Sequence, residues 1–426
     1  MVQRSPKTKK SARRRPTVHV LDTRSPAHIA VRIRGTKCCA RTCASLPETL
    51  LHTTTNRSLE GLRGTAALVV MFYHLALLSQ SSGIVRNGYL AVDLFFVLSG
   101  YVICTAYGDR LSGVSNVTRF VLRRIGRLWP PYIASTVLFL AYTNVYALFQ
   151  IAPEVAAPGT PSSTSVSPFD VFAVATMANG FSNSGAALRN PVSWSAGDEF
   201  YVYLLFAVIC ATIPSPRRIF AFGIIATVSY ASAIYLSIDE FRCLTQGPCL
   251  DLSFGSGWTR CGAGFFAGCL IAECSNTRII SALRSRTLQL PVCVVALVFC
   301  DISDWKNGIA LAAPVIFSLL VASLLNDDGP VAKVLSSKPA QFLGRISYSL
   351  YLGHGALLPV YLKLIATTAN AYLRAAYFVF FLLGFFEVAL LLHRHIEVPF
   401  RNRFYAWADT LPTLRHWEKT RPAAND

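Results

Sequence analysis

The chain has 426 residues, of which 53% are hydrophobic and only 15% charged, with a mean hydropathy of +0.43; a soluble domain, at roughly 45–50% apolar and about 25% charged, is excluded. A formal charge of +18 raises nucleic acid as a partner, but Lys and Arg gather at the ends and in short connections between apolar runs, as in a membrane protein oriented by its cytoplasmic charges. Twelve cysteines lack paired zinc-ligand spacing, and Cys104, Cys210, Cys293 and Cys300 lie in apolar runs where a thiol packs as a small hydrophobe, so no metal site is expected.

Residues 1–57 carry thirteen Lys/Arg against two acids and no sustained apolar period, which predicts a disordered basic arm on the cytoplasmic side. Its cluster Cys38-Cys39 and Cys43 has the chemistry for metal binding or lipidation but no partner cluster. A membrane domain is expected over 58–403 and a cytoplasmic tail over 404–426. Apolar segments of spanning length fall near 62–80, 89–107, 128–150, 191–212, 217–236, 254–273, 287–303, 308–325, 345–367 and 374–393, giving an all-α bundle of about ten transmembrane helices. Threading them from a cytoplasmic N-terminus places the Arg-rich connections 108–127 and 274–286, with Lys333 and Lys338, inside, together with both termini. It places 151–168 and 237–253 outside, where Lys and Arg are sparse. Segment 169–181 is too short to cross and is expected to lie re-entrant or at the interface. Cys243 and Cys249 share an outer loop, where a disulfide and two free thiols are both open.

An ionisable side chain inside a span costs roughly 2.5–3.5 kcal/mol on insertion scales, so each one marks a candidate functional cavity. His74 lies roughly 18 Å above the inner end of the first span, and Glu199 roughly 12 Å below the outer end of the fourth. His354 is roughly 13 Å up the ninth span, and Asp93 about one turn below the outer end of the second. Arg63 and His74 are eleven residues apart, about three turns, so they share one helix face roughly 16 Å apart. The small Ala67 and Val70 between them would leave a groove for an extended thioester arm. Arg124 and Arg127 are i,i+3 neighbours at the inner end of the third span, where guanidinium forks suit either phosphate oxygens or anionic lipid heads.

The residues just named lie in motifs that resemble those of the acyltransferase family 3 membrane proteins, which O-acylate cell-surface polysaccharides and some secondary metabolites. The motifs run in family order: Leu59-Glu60-Gly61-Leu62-Arg63-Gly64 leading to His74; Val92-Asp93-Leu94-Phe95-Phe96-Val97-Leu98-Ser99-Gly100; Arg124-Ile125-Gly126-Arg127; Trp194-Ser195 with Glu199; Gly344 to His354, including Tyr348; and Ile396-Glu397-Val398-Pro399. The likeness covers roughly 58–403. It departs at Ala196-Gly197-Asp198-Glu199-Phe200-Tyr201, where the family has an apolar stretch and a later Phe-Tyr.

The resemblance implies a membrane-bound O-acyltransferase of the plasma membrane, moving an acyl group, acetyl in the first instance, from cytoplasmic acyl-CoA to a hydroxyl of a carbohydrate-like acceptor. Acyl-CoA would be a co-substrate, with no permanently bound cofactor, and the lipid bilayer the other partner. His74 would act as general base or acyl relay, with Asp93 or Glu199 orienting it. Arg63, Arg124 and Arg127 would hold the donor's phosphates, and His354, Tyr348, Ser99 and Trp194 would bind substrate or serve as structural polar groups. The rival readings are a proton-coupled transporter, since His and Glu at mid-membrane also build proton relays, and a sensory or binding membrane protein. Thioester consumption separates all three.

Overall fold

The computed structural model describes residues 56–75, 82–148, 167–181, 188, 190–303 and 308–411, with side chains from 144 to 148 left aside. The basic arm with its cysteine cluster, most of the 151–168 loop and the last part of the tail lie outside them. Among the described residues the secondary structure is helical throughout. A helix falls on each of the ten expected segments: α1 (Arg57–His74), α2 (Ala91–Tyr107), α3 (Gly113–Leu148), α4 (Trp194–Thr212), α5 (Ser215–Tyr235), α6 (Gly257–Glu273), α7 (Arg286–Ile302), α8 (Ala313–Ser323), α9 (Lys338–Thr367) and α10 (Ala371–Leu391). Five stretches, 88–107 ending in α2, α4, α5 extended to 240, α9 and α10 extended to 410, are long and apolar enough to cross a bilayer. Length and composition thus support five of the ten expected spans among the described residues.

The starts of these helices follow local chemistry. Asn56 caps α1 by accepting from the Leu59 amide, and Asp327 accepts from the Arg57 and Ser58 amides, placing a carboxylate where the helix dipole favours one. The segment expected between the third and fourth spans is the eight-residue helix Pro168–Ala175, closed by a reciprocal Ser167–Asp170 capping box. It is too short to cross and turns Phe169 and Phe172 outward. A further helix, α11 (Val398–Thr410), follows α10 through one π-helical turn. It runs unbroken past the expected boundary at 403, and Asp409 pairs with Arg123 of α3 while the Leu411 carbonyl accepts from Arg119. The body of the protein therefore extends beyond the expected start of the tail.

Two helix groups share the interior. In one, α1 and α10 flank α9, which also meets α3; in the other, α6 lies between α2 and α5. Glycines let the backbones touch: a Cβ at Gly64 would fall 2.3 Å from the Gly344 amide nitrogen, and one at Gly100 would fall 1.8 Å from the Phe265 carbonyl oxygen. Large apolar side chains face outward instead, with Phe220 71% and Phe380 69% exposed, which suits lipid and not water.

Candidate functional site

The two central histidines meet. His74, at the last turn of α1, has Nδ1 3.0 Å from the Val70 carbonyl oxygen and 3.3 Å from Nε2 of His354; His354 has its own Nδ1 3.0 Å from the Leu350 carbonyl oxygen. A carbonyl only accepts, so each neutral ring carries its proton on Nδ1. His74 then donates to both Val70 and the bare Nε2 of His354, which leaves Nε2 of His74 with a free lone pair. His354 is fully buried and His74 half-buried. The Tyr351 ring lies beside His354, and its hydroxyl is 2.8 Å from Ser195 Oγ at the start of α4.

Asp93 and Glu199, the two acids expected to orient His74, are engaged elsewhere. Both Asp93 oxygens face Arg260, at 3.1 and 2.6 Å, and neither residue is more than 2% exposed. Arg260 completes its fork on the Leu252 and Tyr89 carbonyls, at 2.9 and 3.1 Å, and the Trp194 ring covers it. Arg260 went unnoticed in the sequence, although an arginine inside the 254–273 apolar run meets the same criterion that singled out Asp93. Glu199 instead accepts from Ser99 and from Tyr203, whose hydroxyls lie 2.6 Å apart.

The three arginines differ in how much binding capacity they retain. Arg63 is held by Ser347 Oγ at 3.0 Å, Glu60 at 2.8 Å and the Gly344 carbonyl at 3.2 Å, so it fastens α1 to α9. Arg124 is buried beside the rings of Tyr107, Phe120 and Tyr203. Its Nη2 reaches Tyr107 Oη at 3.2 Å, and its buried Nε has no hydrogen-bond partner. Arg127 makes no hydrogen bond or close ion pair among the described residues, and lies within electrostatic reach of Glu397, Tyr405, Tyr203 and Glu60. Glu397 is itself taken up by Ser349 at 2.7 Å and His393 at 3.0 Å. Tyr348 donates to the Leu128 carbonyl at 2.8 Å, across from the Arg124–Arg127 turn. Arg124 thus lies one aromatic ring, that of Tyr203, away from Glu199.

The groove expected along α1 is closed, because Ala67 and Val70 are at most 1% exposed and pack into two different apolar clusters. A surface hollow of about 300 Å³, lined by Arg286, Asp328, Gly329, Pro330 and Lys333, lies between the start of α7 and the segment before α9 and contains none of these groups. The expected disulfide option is realised: Cys243 and Cys249 are bonded, and Tyr89 donates to the Cys249 carbonyl at 2.8 Å.

Comparison with known proteins agrees with the motifs. A candidate peptidoglycan O-acetyltransferase of Bacillus subtilis is 27% identical over 323 residues, 70% of this chain and 47% of that protein. A candidate O-acetyltransferase of Staphylococcus aureus (strain COL) is 27% identical over 363 residues, 81% of this chain and 57% of that protein. "Protein 2 in picA locus" of Rhizobium radiobacter is 40% identical over 85 residues, 20% of this chain and 44% of that protein. The chain spans about half the length of the first two relatives. No solved structure matches. The profile of the family described as an acyltransferase domain covers residues 56–394, nearly the whole helical body with both histidines and all three arginines, and the chain belongs to that acyltransferase 3 family.

Proposed function

We propose that this protein carries an acyl group, acetyl by analogy with its relatives, from cytoplasmic acyl-CoA to a hydroxyl of a carbohydrate-like acceptor at the outer side of the plasma membrane. The observation that carries this reading is the commitment of His74 Nδ1 to the Val70 carbonyl and His354, which leaves the Nε2 lone pair for chemistry. Nε2 takes the acceptor's hydroxyl proton as its oxygen attacks the thioester carbonyl. Collapse of the tetrahedral adduct breaks the C–S bond, and the imidazolium returns the proton to the departing thiolate. The same lone pair also suits an acyl-histidine relay, with the acyl carbon bonded to Nε2 between two successive displacements.

Arg127 and Arg124, with spare donors, bind the phosphates of the coenzyme in this reading. Arg63 serves to hold α1 on α9, a different role from the one its motif suggests. The Lys/Arg distribution supports inner placement of 108–127 and 274–286, and the Cys243–Cys249 bond supports an oxidising, outer location for 237–253. Glu199 with Ser99 and Tyr203, whose ring lies beside Arg124, offers the acceptor a hydroxyl-binding wall.

The test is release of free coenzyme thiol from acetyl-CoA by purified full-length protein in lipid, with and without a glycan acceptor. His74→Ala is expected to lose at least about a hundredfold in kcat, the lower range for general acid–base catalysis, with unchanged thermal stability. A variant that keeps more than about a tenth of parental turnover sinks the base assignment. A transporter would move protons without consuming thioester.

A further inference from the structure

We propose that His354 is a positioning residue that acts through His74, accepting its Nδ1–H so that the positive charge formed on His74 during turnover has a prepared partner. This rests on the base role proposed for His74 and assigns to a second histidine the part a carboxylate commonly plays. The geometry requires no rearrangement. The Leu350 carbonyl fixes the proton of His354 on Nδ1, and the bare Nε2 then sits 3.3 Å from Nδ1 of His74. When Nε2 of His74 takes the acceptor's proton, the Nδ1–H bond polarises and becomes a stronger donor to Val70 and His354 together. No proton passes to His354, and both rings end each cycle neutral.

A neutral partner suits this position. An ionised carboxylate at this depth would need its own counter-charge, as Asp93 needs Arg260, whereas an imidazole offers a lone pair with little desolvation cost. Its burial and the flanking rings of Tyr351 and Phe385 keep the lone pair aimed at His74. Neither acid expected to orient His74 is free to do this, since Asp93 is held by Arg260 and Glu199 by Ser99 and Tyr203.

Gln places a carbonyl oxygen the same number of bonds from the backbone as Nε2 of histidine, Asn places it one bond short, and Leu removes it. His354→Gln is expected to keep kcat within about threefold of the parent. His354→Asn and His354→Leu should lose about ten- to a hundredfold in kcat, what one hydrogen bond to a charged group is worth, with the acetyl-CoA KM unchanged. If Gln and Asn behave alike, or if all three keep parental kcat, the proposal is overturned; a purely packing role predicts that losses follow thermal stability and not acceptor reach. Solid-state ¹⁵N spectra of histidine-labelled protein in bilayers test the pair without turnover. They should show both rings protonated on Nδ1 only and a proton-mediated correlation between His74 Nδ1 and His354 Nε2, lost in His354→Leu. Absence of that correlation in the parent overturns the proposal even where thioester is consumed. Its presence in a protein that consumes no thioester would leave the pair standing and the acyl-transfer reading refuted.

Discussion

Two buried polar pairs sit in this bundle, and they are built on opposite terms. Asp93 and Arg260 are both charged, and the carboxylate and guanidinium are satisfied by each other and by the Leu252 and Tyr89 carbonyls. His74 and His354 have Nδ1 protons fixed by their carbonyl partners, and as neutral rings they keep one lone pair unspent. The first pair is buried, with both carboxylate oxygens and four of the five guanidinium N–H groups engaged, so its contribution is to structure. The second has capacity left at one atom, which is where chemistry can occur. For a polar residue in a membrane, depth alone flags importance, and the count of remaining donors and acceptors indicates which kind.

The comparison breaks most visibly if the charged pair is dispensable. Asp93→Ala or Arg260→Met leaves its partner buried and uncompensated, a loss of about 3–5 kcal/mol, and is expected to abolish folded protein in detergent gel filtration. The double variant Asp93→Leu with Arg260→Met should recover much of that loss. Single variants with parental melting temperature would show that the pair carries no structural load.

A middle-sized effect is expected at the arginines. Arg127→Ala and Arg124→Ala should raise the acetyl-CoA KM about tenfold or more with a smaller change in kcat, because contacts alike in ground and transition states act on KM. Lys should rescue poorly, since a point charge lacks the fork that matches phosphate. Arg63→Ala should instead lower thermal stability, because its Nε and Nη2 tie α1 to α9 through Ser347 and Gly344 and pair with Glu60. Donor KM unchanged in the first two and raised in the third would reverse the assignment. The smallest effect belongs to the outer loop: Cys243→Ser with Cys249→Ser should cost about 2 kcal/mol or less from so short a closed loop, with kcat intact. With the native cysteines replaced, a single Cys at the exposed Gln246 position of that loop should be labelled from outside intact cells, and labelling only after permeabilisation would invert the proposed topology.

The helices were legible because hydropathy is a property of contiguous residues, and each apolar segment carries its own signal. The pairings were not, because Asp93 and Arg260 are separated by 167 positions and His74 and His354 by 280, and nothing local in either stretch names the other. Depth arguments brought His74 and Glu199 to one level, with His354 and Asp93 on either side of it, yet depth fixes only one coordinate of three; angular position around each helix then sent Asp93 to α6, Glu199 to α2 and His74 to α9. Helix α11 runs past the expected boundary at 403 because Arg119 and Arg123 of α3 receive its far end, and nothing local in 404–411 names α3.

One signal for the histidine pair did lie in the sequence. Gly64 precedes His74 by ten residues and Gly344 precedes His354 by ten, and the structure joins glycine to glycine and histidine to histidine. The two helices therefore run parallel and in step, pinned at two levels about 15 Å apart. They behave like two rulers clamped at the same pair of marks: adding or deleting a single residue between the marks on one helix shifts its histidine by about 1.5 Å and turns it by about 100°, out of reach of its partner. Side chains along this interval can change within the limits of packing, but its length has no tolerance, and relatives that use the same pair must keep the two intervals equal.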